Sequence, residues 1–253
     1  MSSSKRSLIR VARVLTAVVA VLAFGTHVPS AGPRKSKIDK RLFTTAFRID
    51  DCTFLSTGSA NPYFILDPSH ELNLEGEEGK EFIELRITVL NDTEDVTVPG
   101  LGIVRTRVVE EREWADGELK EVSRNFFAIC AETSDVYYFG EHVDNYENGS
   151  IANHNGSWRA GTDGALPGLI MPGTFLLGSR YFQEVAPGVA LDRGENTAMG
   201  LVVTVPAGTF PGSVSVFETS PPEPNAKSVK TYAPGVGLLI DDTLQLIGWT
   251  PAP

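Results

Sequence analysis

The sequence predicts an all-β fold: a large, curved antiparallel sheet forming a barrel or half-barrel, with long Gly/Pro loops at one end. A two-sheet sandwich is the alternative. Three observations lead there. Apolar residues nowhere repeat with helical spacing over a helical length, while β-branched alternating runs recur along the chain. Asn or Asp followed by Gly marks hairpin turns at Asp116-Gly117, Asn148-Gly149 and Asn155-Gly156. Pro-Gly pairs punctuate the second half at 211–212 and 234–235.

Taken in order, the chain opens on an export signal. Lys5, Arg6, Arg10 and Arg13 form a basic start without an acidic residue, and Leu15–Phe24 is an uncharged apolar run. That run is too short to cross a bilayer, which needs roughly 20 residues, and suits a signal peptide over residues 1–31. Cleavage falls after Gly25 or Ser30, or less favourably after Ala31, and the absence of a nearby cysteine argues against a lipid anchor. Residues 32–41 then read as a basic linker and 42–253 as a single β domain. The expected strands are Glu81–Leu90, stopping at Asn91-Asp92, then Ile103–Trp114, Val136–Phe139 and Gly200–Val205. They are followed by Ser213–Thr219, Ser228–Tyr232 and Thr243–Trp249. Between them, residues 152–180 read as one long loop. A periplasmic or secreted location follows, with no transmembrane segment after signal cleavage.

Composition narrows the function. Removing residues 1–31 removes four basic and no acidic residues, so the formal charge goes from −10 to −14. Such a surface repels nucleic acid and anionic membranes. A hydrophobic fraction of 42% supports a packed core over a disordered chain. Cys52 and Cys130 are the two cysteines. In an oxidising compartment they form a disulfide, closing a loop that stabilises by roughly 4–5 kcal/mol. The alternative is a pair of buried thiols.

Sequence signatures of common chemistry are missing. No nucleophile elbow, phosphate loop, zinc-protease helix motif or dinucleotide fingerprint occurs, so no cofactor is expected. A calcium loop starting at Asp144 fails, because Tyr146 and Asn155 stand where oxygen ligands belong.

The segment 136–184 is the densest in unusual residues. It holds Tyr138-Phe-Gly-Glu141, Gly156-Ser-Trp158-Arg-Ala-Gly161, Pro167-Gly-Leu-Ile-Met-Pro172 and Tyr181-Phe-Gln183-Glu184. Asn61-Pro-Tyr-Phe64 and Trp114-Ala-Asp-Gly117 precede it, and Tyr232-Ala-Pro-Gly-Val-Gly-Leu238 follows. This series resembles a family of uncharacterised exported bacterial proteins, many of them lipoproteins, over about residues 60–247. The resemblance implies export and leaves activity open. The chain departs from the pattern by lacking a lipidated cysteine and by carrying Cys130 where a polar residue is expected.

Two readings of this segment compete. In one, Tyr138, Tyr146, Trp158 and Tyr181 wall a ligand cleft, and Glu141, Gln183 and Glu184 orient what binds there. In the other, the aromatics are a folding nucleus. For Glu141 the expected role is to anchor the loop 152–180 by accepting hydrogen bonds from its backbone or from Trp158 Nε1. The favoured function is a non-catalytic exported protein binding a small apolar or amphipathic ligand or an envelope partner. The alternatives are an envelope hydrolase using Glu141 and Glu184, or a metal-binding protein. In the last, His142 and His154 are joined by Glu141, with Glu184 or Asp192 as a further ligand.

Overall fold

The computed structural model describes residues 43–253. The expected signal peptide (1–31) and the whole of the expected basic linker (32–41) lie outside the described residues. The strands are β1 (Phe54–Leu55), β2 (Glu71–Glu78), β3 (Glu81–Val98), β4 (Gly102–Ala115), β5 (Glu118–Cys130), β6 (Val136–Glu147), β7 (Ser150–Asn153) and β8 (Trp158–Arg159). They continue as β9 (Gly168–Met171), β10 (Arg180–Phe182), β11 (Arg193–Val205), β12 (Gly208–Thr219), β13 (Lys227–Ala233), β14 (Gly237–Asp241) and β15 (Leu244–Thr250). All belong to one antiparallel sheet in the order β10-β11-β12-β13-β14-β15-β2-β3-β4-β5-β6-β7, with β1 on β5 and β8 and β9 on β6. The sheet is curved and does not close, so it is a half-barrel rather than a sealed barrel or a two-sheet sandwich.

Hairpin chemistry explains the meander. Asp116 and Gly117 both have positive φ, as do Asn148 and Gly149, and each pair forms a two-residue turn of the expected kind. Asn155-Gly156 behaves differently. Asn155 is not left-handed, and the segment after it turns back to β6 as β8 instead of forming a hairpin. The expected loop 152–180 is accordingly broken into short extended pieces. Gly140 and Glu141 pair with Arg159 and Trp158, and Tyr138 pairs with Gly168. These pieces cover an edge of β6 that would otherwise expose unpaired amides.

Another departure is at Asn91-Asp92, where β3 continues to Val98 instead of ending. The register against β4 slips between Val89 and Thr93, which marks a bulge. Buried Arg107 holds that bulge. Its Nη1 donates to the carbonyls of Leu90, Asn91 and Asp92 at 3.3, 2.8 and 3.3 Å, and its Nε donates to Ser56 O at 2.8 Å. A planar fork with several fixed donors suits such a kinked run of carbonyls.

Cys52 and Cys130 are disulfide-bonded, with Cα atoms 5.0 Å apart. The bond fixes residues before β1 to the end of β5. There Phe54 packs edge-on against Tyr137 and Phe139, with ring centroids 5.9 and 5.3 Å away. This cover explains why Val136–Glu141 is buried at every position instead of alternating.

Candidate functional site

The site begins with a bulge in β6. Asn125 pairs with Glu141 and Phe127 with Tyr138, so β6 spends one more residue than β5 over this interval. Gly140, at φ 132°, absorbs it. A Cβ at Gly140 would lie 2.4 Å from the Trp158 carbonyl, so only glycine lets β8 approach this closely. The motif glycine thereby sets Glu141 and Trp158 side by side.

Beside them lies a cleft of about 310 Å³. Phe126, Trp158, Ala165, Ala186, Pro187 and Val189 form its apolar wall, and Glu141, His142, Ser157 and Arg159 bring polar groups to it. Two buried polar atoms here have no hydrogen-bond partner: Glu141 Oε2 and Trp158 Nε1. Burial, reinforced by Glu121, raises the Glu141 carboxyl well above the usual carboxylate range, while the Tyr138 hydroxyl pulls the other way. Burial thus disfavours the charged form of Glu141. Arg159 also lines the cleft, its guanidinium 5.1 Å from the Phe126 ring centre and ion-paired to Glu94.

Of the seven residues singled out from the sequence, the cleft takes Glu141 and Trp158. Tyr138 stands behind them, stacked on Phe127 at 4.6 Å and edge-on to Trp158 at 5.2 Å. Its hydroxyl donates to Asn125 Oδ1. Tyr181 and Gln183 are buried scaffold: Tyr181 Oη donates to Asn196 Oδ1 at 2.9 Å and Gln183 Nε2 to Glu218 Oε1 at 2.7 Å. Tyr146 sits by the β6–β7 turn, paired with Ile151, away from the cleft. The expected anchor also differs. Glu141 Oε2 and Trp158 Nε1 do not bond to each other. The segment after β7 is held instead by the β6–β8 ladder and by Val143 N donating to Ser157 Oγ at 2.8 Å.

Carboxylates do converge, but inside the sheet. Burial first, then Asp192 and Glu141, keep the Glu184 carboxyl far above its ordinary value. Burial pushes Asp192 up to about 7, against the Ser220 hydroxyl and with Glu218 adding to it. Neither Glu184 nor Asp192 lines the cleft. A hydrolase with Glu141 and Glu184 facing one substrate therefore lacks its second open carboxyl in this geometry.

His142 and His154 lie side by side, with ring centroids 5.1 Å apart. Their shared neighbour is Asp144, the residue at which the rejected calcium loop would have started; Glu141, Glu184 and Asp192 are buried elsewhere. Strand alternation explains the split. Positions 142 and 144 share one face of β6, and 141 belongs to the other. No family model, curated protein or solved structure matches the chain. Its function must be argued from these contacts.

Sequence reasoning missed Phe126, Arg159 and the turn 186–189 as cleft residues. Arg159 lies within the quoted Gly-Ser-Trp-Arg-Ala-Gly run, beside Trp158, but nothing local marks Phe126 or 186–189, which reach the site through the folding of distant segments. Asp144 was within reach of the sequence. Counting back from the Asn148-Gly149 turn, with one bulge, sets 144 opposite 154.

Proposed function

We propose that this chain is a non-catalytic, exported binding protein that holds a small amphipathic ligand in the cleft over Glu141 and Trp158. The observation that carries this reading is the pair of buried, partnerless atoms on the cleft wall, an acceptor on Glu141 and a donor on Trp158. Burying such groups unpaired costs roughly 1–3 kcal/mol each, and a bound polar group recovers it. One side of the cleft is apolar, with Phe126, Ala165, Ala186, Pro187 and Val189, and the volume is at the small end of ligand pockets. A neutral head with one donor and one acceptor, such as an amide or alcohol, on an aromatic or aliphatic body fits both features. The burial and neighbouring carboxylates that raise the Glu141 carboxyl also disfavour an anionic head, so a neutral one is favoured. Export, and the resemblance to exported envelope proteins, agree with a disulfide-bonded chain in which no described helix is long and apolar enough to cross a membrane.

Titration with a set of neutral aromatic amides and alcohols, followed by backbone and indole N–H resonances, tests the reading. Shifts should cluster at Glu141, Trp158 and Ala165. Glu141→Ala and Trp158→Phe should weaken binding about tenfold each, the loss of one buried hydrogen bond of about 1.4 kcal/mol. Shifts scattered over the surface, or binding indifferent to both variants, would refute it.

A further inference from the structure

We propose that His142, Asp144 and His154 form a binding site for a divalent transition-metal ion of the zinc or copper class, separate from the buried carboxylates. Donor atoms of all three side chains lie within 4.8 Å of one another. His154 Nδ1 is 2.9 Å and His142 Nδ1 is 3.7 Å from the same oxygen, Asp144 Oδ1. The second oxygen, Oδ2, accepts from Arg124 Nη1 at 3.0 Å, so the carboxylate is turned and held with Oδ1 toward the imidazoles. Asp144 is buried while both histidine rings are about half exposed. A fixed carboxylate with two adjustable imidazoles above it is a three-donor set with open positions for water or an external ligand.

The backbone frame is a hydrogen-bonded hairpin. Asn145 pairs with Asn153 in the β6–β7 hairpin, which brings Asp144 opposite His154 one step further along. Metal–nitrogen bonds of about 2.0–2.1 Å would require donors roughly 3.3 Å apart in a tetrahedral site, a movement of about 1 Å for exposed rings. His154 Nδ1 also lies 3.0 Å from Val143 O. Metal binding at Nδ1 displaces its proton, and Val143 O retains the Ser157 hydroxyl at 3.5 Å. Imidazole and carboxylate donors select zinc, copper(II) or nickel over calcium or magnesium. Among the described residues the other grouping of potential ligands, Cys52, Cys130 and Glu132, has both sulfurs committed to the disulfide.

Zinc chloride binding to the full chain, measured by calorimetry and by metal analysis after dialysis, tests the site. One zinc per chain is expected. His142→Ala and His154→Ala should each weaken binding at least tenfold, and Asp144→Asn likewise, with folding checked by circular dichroism. Glu184→Gln should leave affinity unchanged. The proposal is overturned if the wild type binds no more zinc than the His142→Ala/His154→Ala double variant, or if Glu184→Gln loses as much affinity as the histidine variants.

Discussion

Gly140 shows how one residue couples fold to site. Its φ of 132° is rarely adopted by side-chain-bearing residues, and its missing Cβ is where the Trp158 carbonyl passes. Gly140→Ala must therefore strain the backbone and push β8 away together. A loss of roughly 2–3 kcal/mol is expected, measured as a shift in the denaturant midpoint, with Trp158 emission changed in the folded baseline. An unchanged midpoint would mean that β8 rests on β6 more loosely than this geometry requires. The residues flanking Gly140 were legible as unusual, and the Tyr-Phe-Gly-Glu run pointed at the right place. Its meaning was not legible, because a register slip against β5 cannot be counted from β6 alone.

At the scale of elements, the motifs that drew attention in the sequence prove to be joints. Asn61 Nδ2 lies within bonding distance of the carbonyls of Ser134, Met171 and Pro172, at 2.9, 3.3 and 3.2 Å. Gly235 N donates to Pro62 O at 2.7 Å, and Asp116 Oδ1 accepts from Phe82 N at 3.0 Å. Thus Asn-Pro-Tyr-Phe ties together the Pro-Gly-Leu-Ile-Met-Pro and Tyr-Ala-Pro-Gly segments, and Trp-x-Asp-Gly closes a hairpin. A motif can therefore be specific and yet say nothing about chemistry. The disulfide is the covalent member of this set, linking positions 78 apart in sequence. Replacing both cysteines by serine should lower stability by about 4–5 kcal/mol in the chain-entropy model. Urea unfolding of the variant beside the oxidised wild type reads this directly. A difference below about 1 kcal/mol would show that the segment before β1 is already held by Phe54 and its aromatic neighbours.

Across the whole molecule, the all-β reading followed from alternation and turn residues, both local signals. Whether the sheet closes, and which polar residues it encloses, depends on contacts far apart in sequence. The buried group around Glu184, Asp192 and Glu218 is the clearest case. On paper each is one acid among 32 acidic residues, and only the folded sheet removes these three from water. Lys230 answers part of the charge, its Nζ 3.2 Å from Glu218 Oε2 and 3.9 Å from Asp241 Oδ2. Asp192 Oδ1 and Glu184 Oε2 are left without hydrogen-bond partners among the described residues.

This enclosure makes stability depend on pH in a definite direction. Asp192 titrates near 3.8 when exposed and at about 7 in the fold, where burial disfavours its charge and Glu218 adds to the effect. Below about pH 4 both states carry the proton and the buried carboxyl is neutral. Between there and 7 the folded chain binds more protons than the unfolded chain, so stability falls as pH rises, and it levels off above 7. Glu184, raised by the same burial and by Asp192 itself, acts in the same direction. His70 opposes them: burial lowers its pKa despite the Val236 carbonyl, so its contribution is lost as pH falls below about 6.5. The wild-type profile is the sum of these, and comparison with Asp192→Asn isolates one part. The amide keeps the shape and cannot ionise. Asp192→Asn should match the wild type at pH 4 and exceed it at pH 8 by as much as about 4 kcal/mol. Thermal or denaturant unfolding at the two pH values measures the crossover. If the variant tracks the wild type at both, the Asp192 carboxylate is solvated in the folded chain and burial does not penalise its charge.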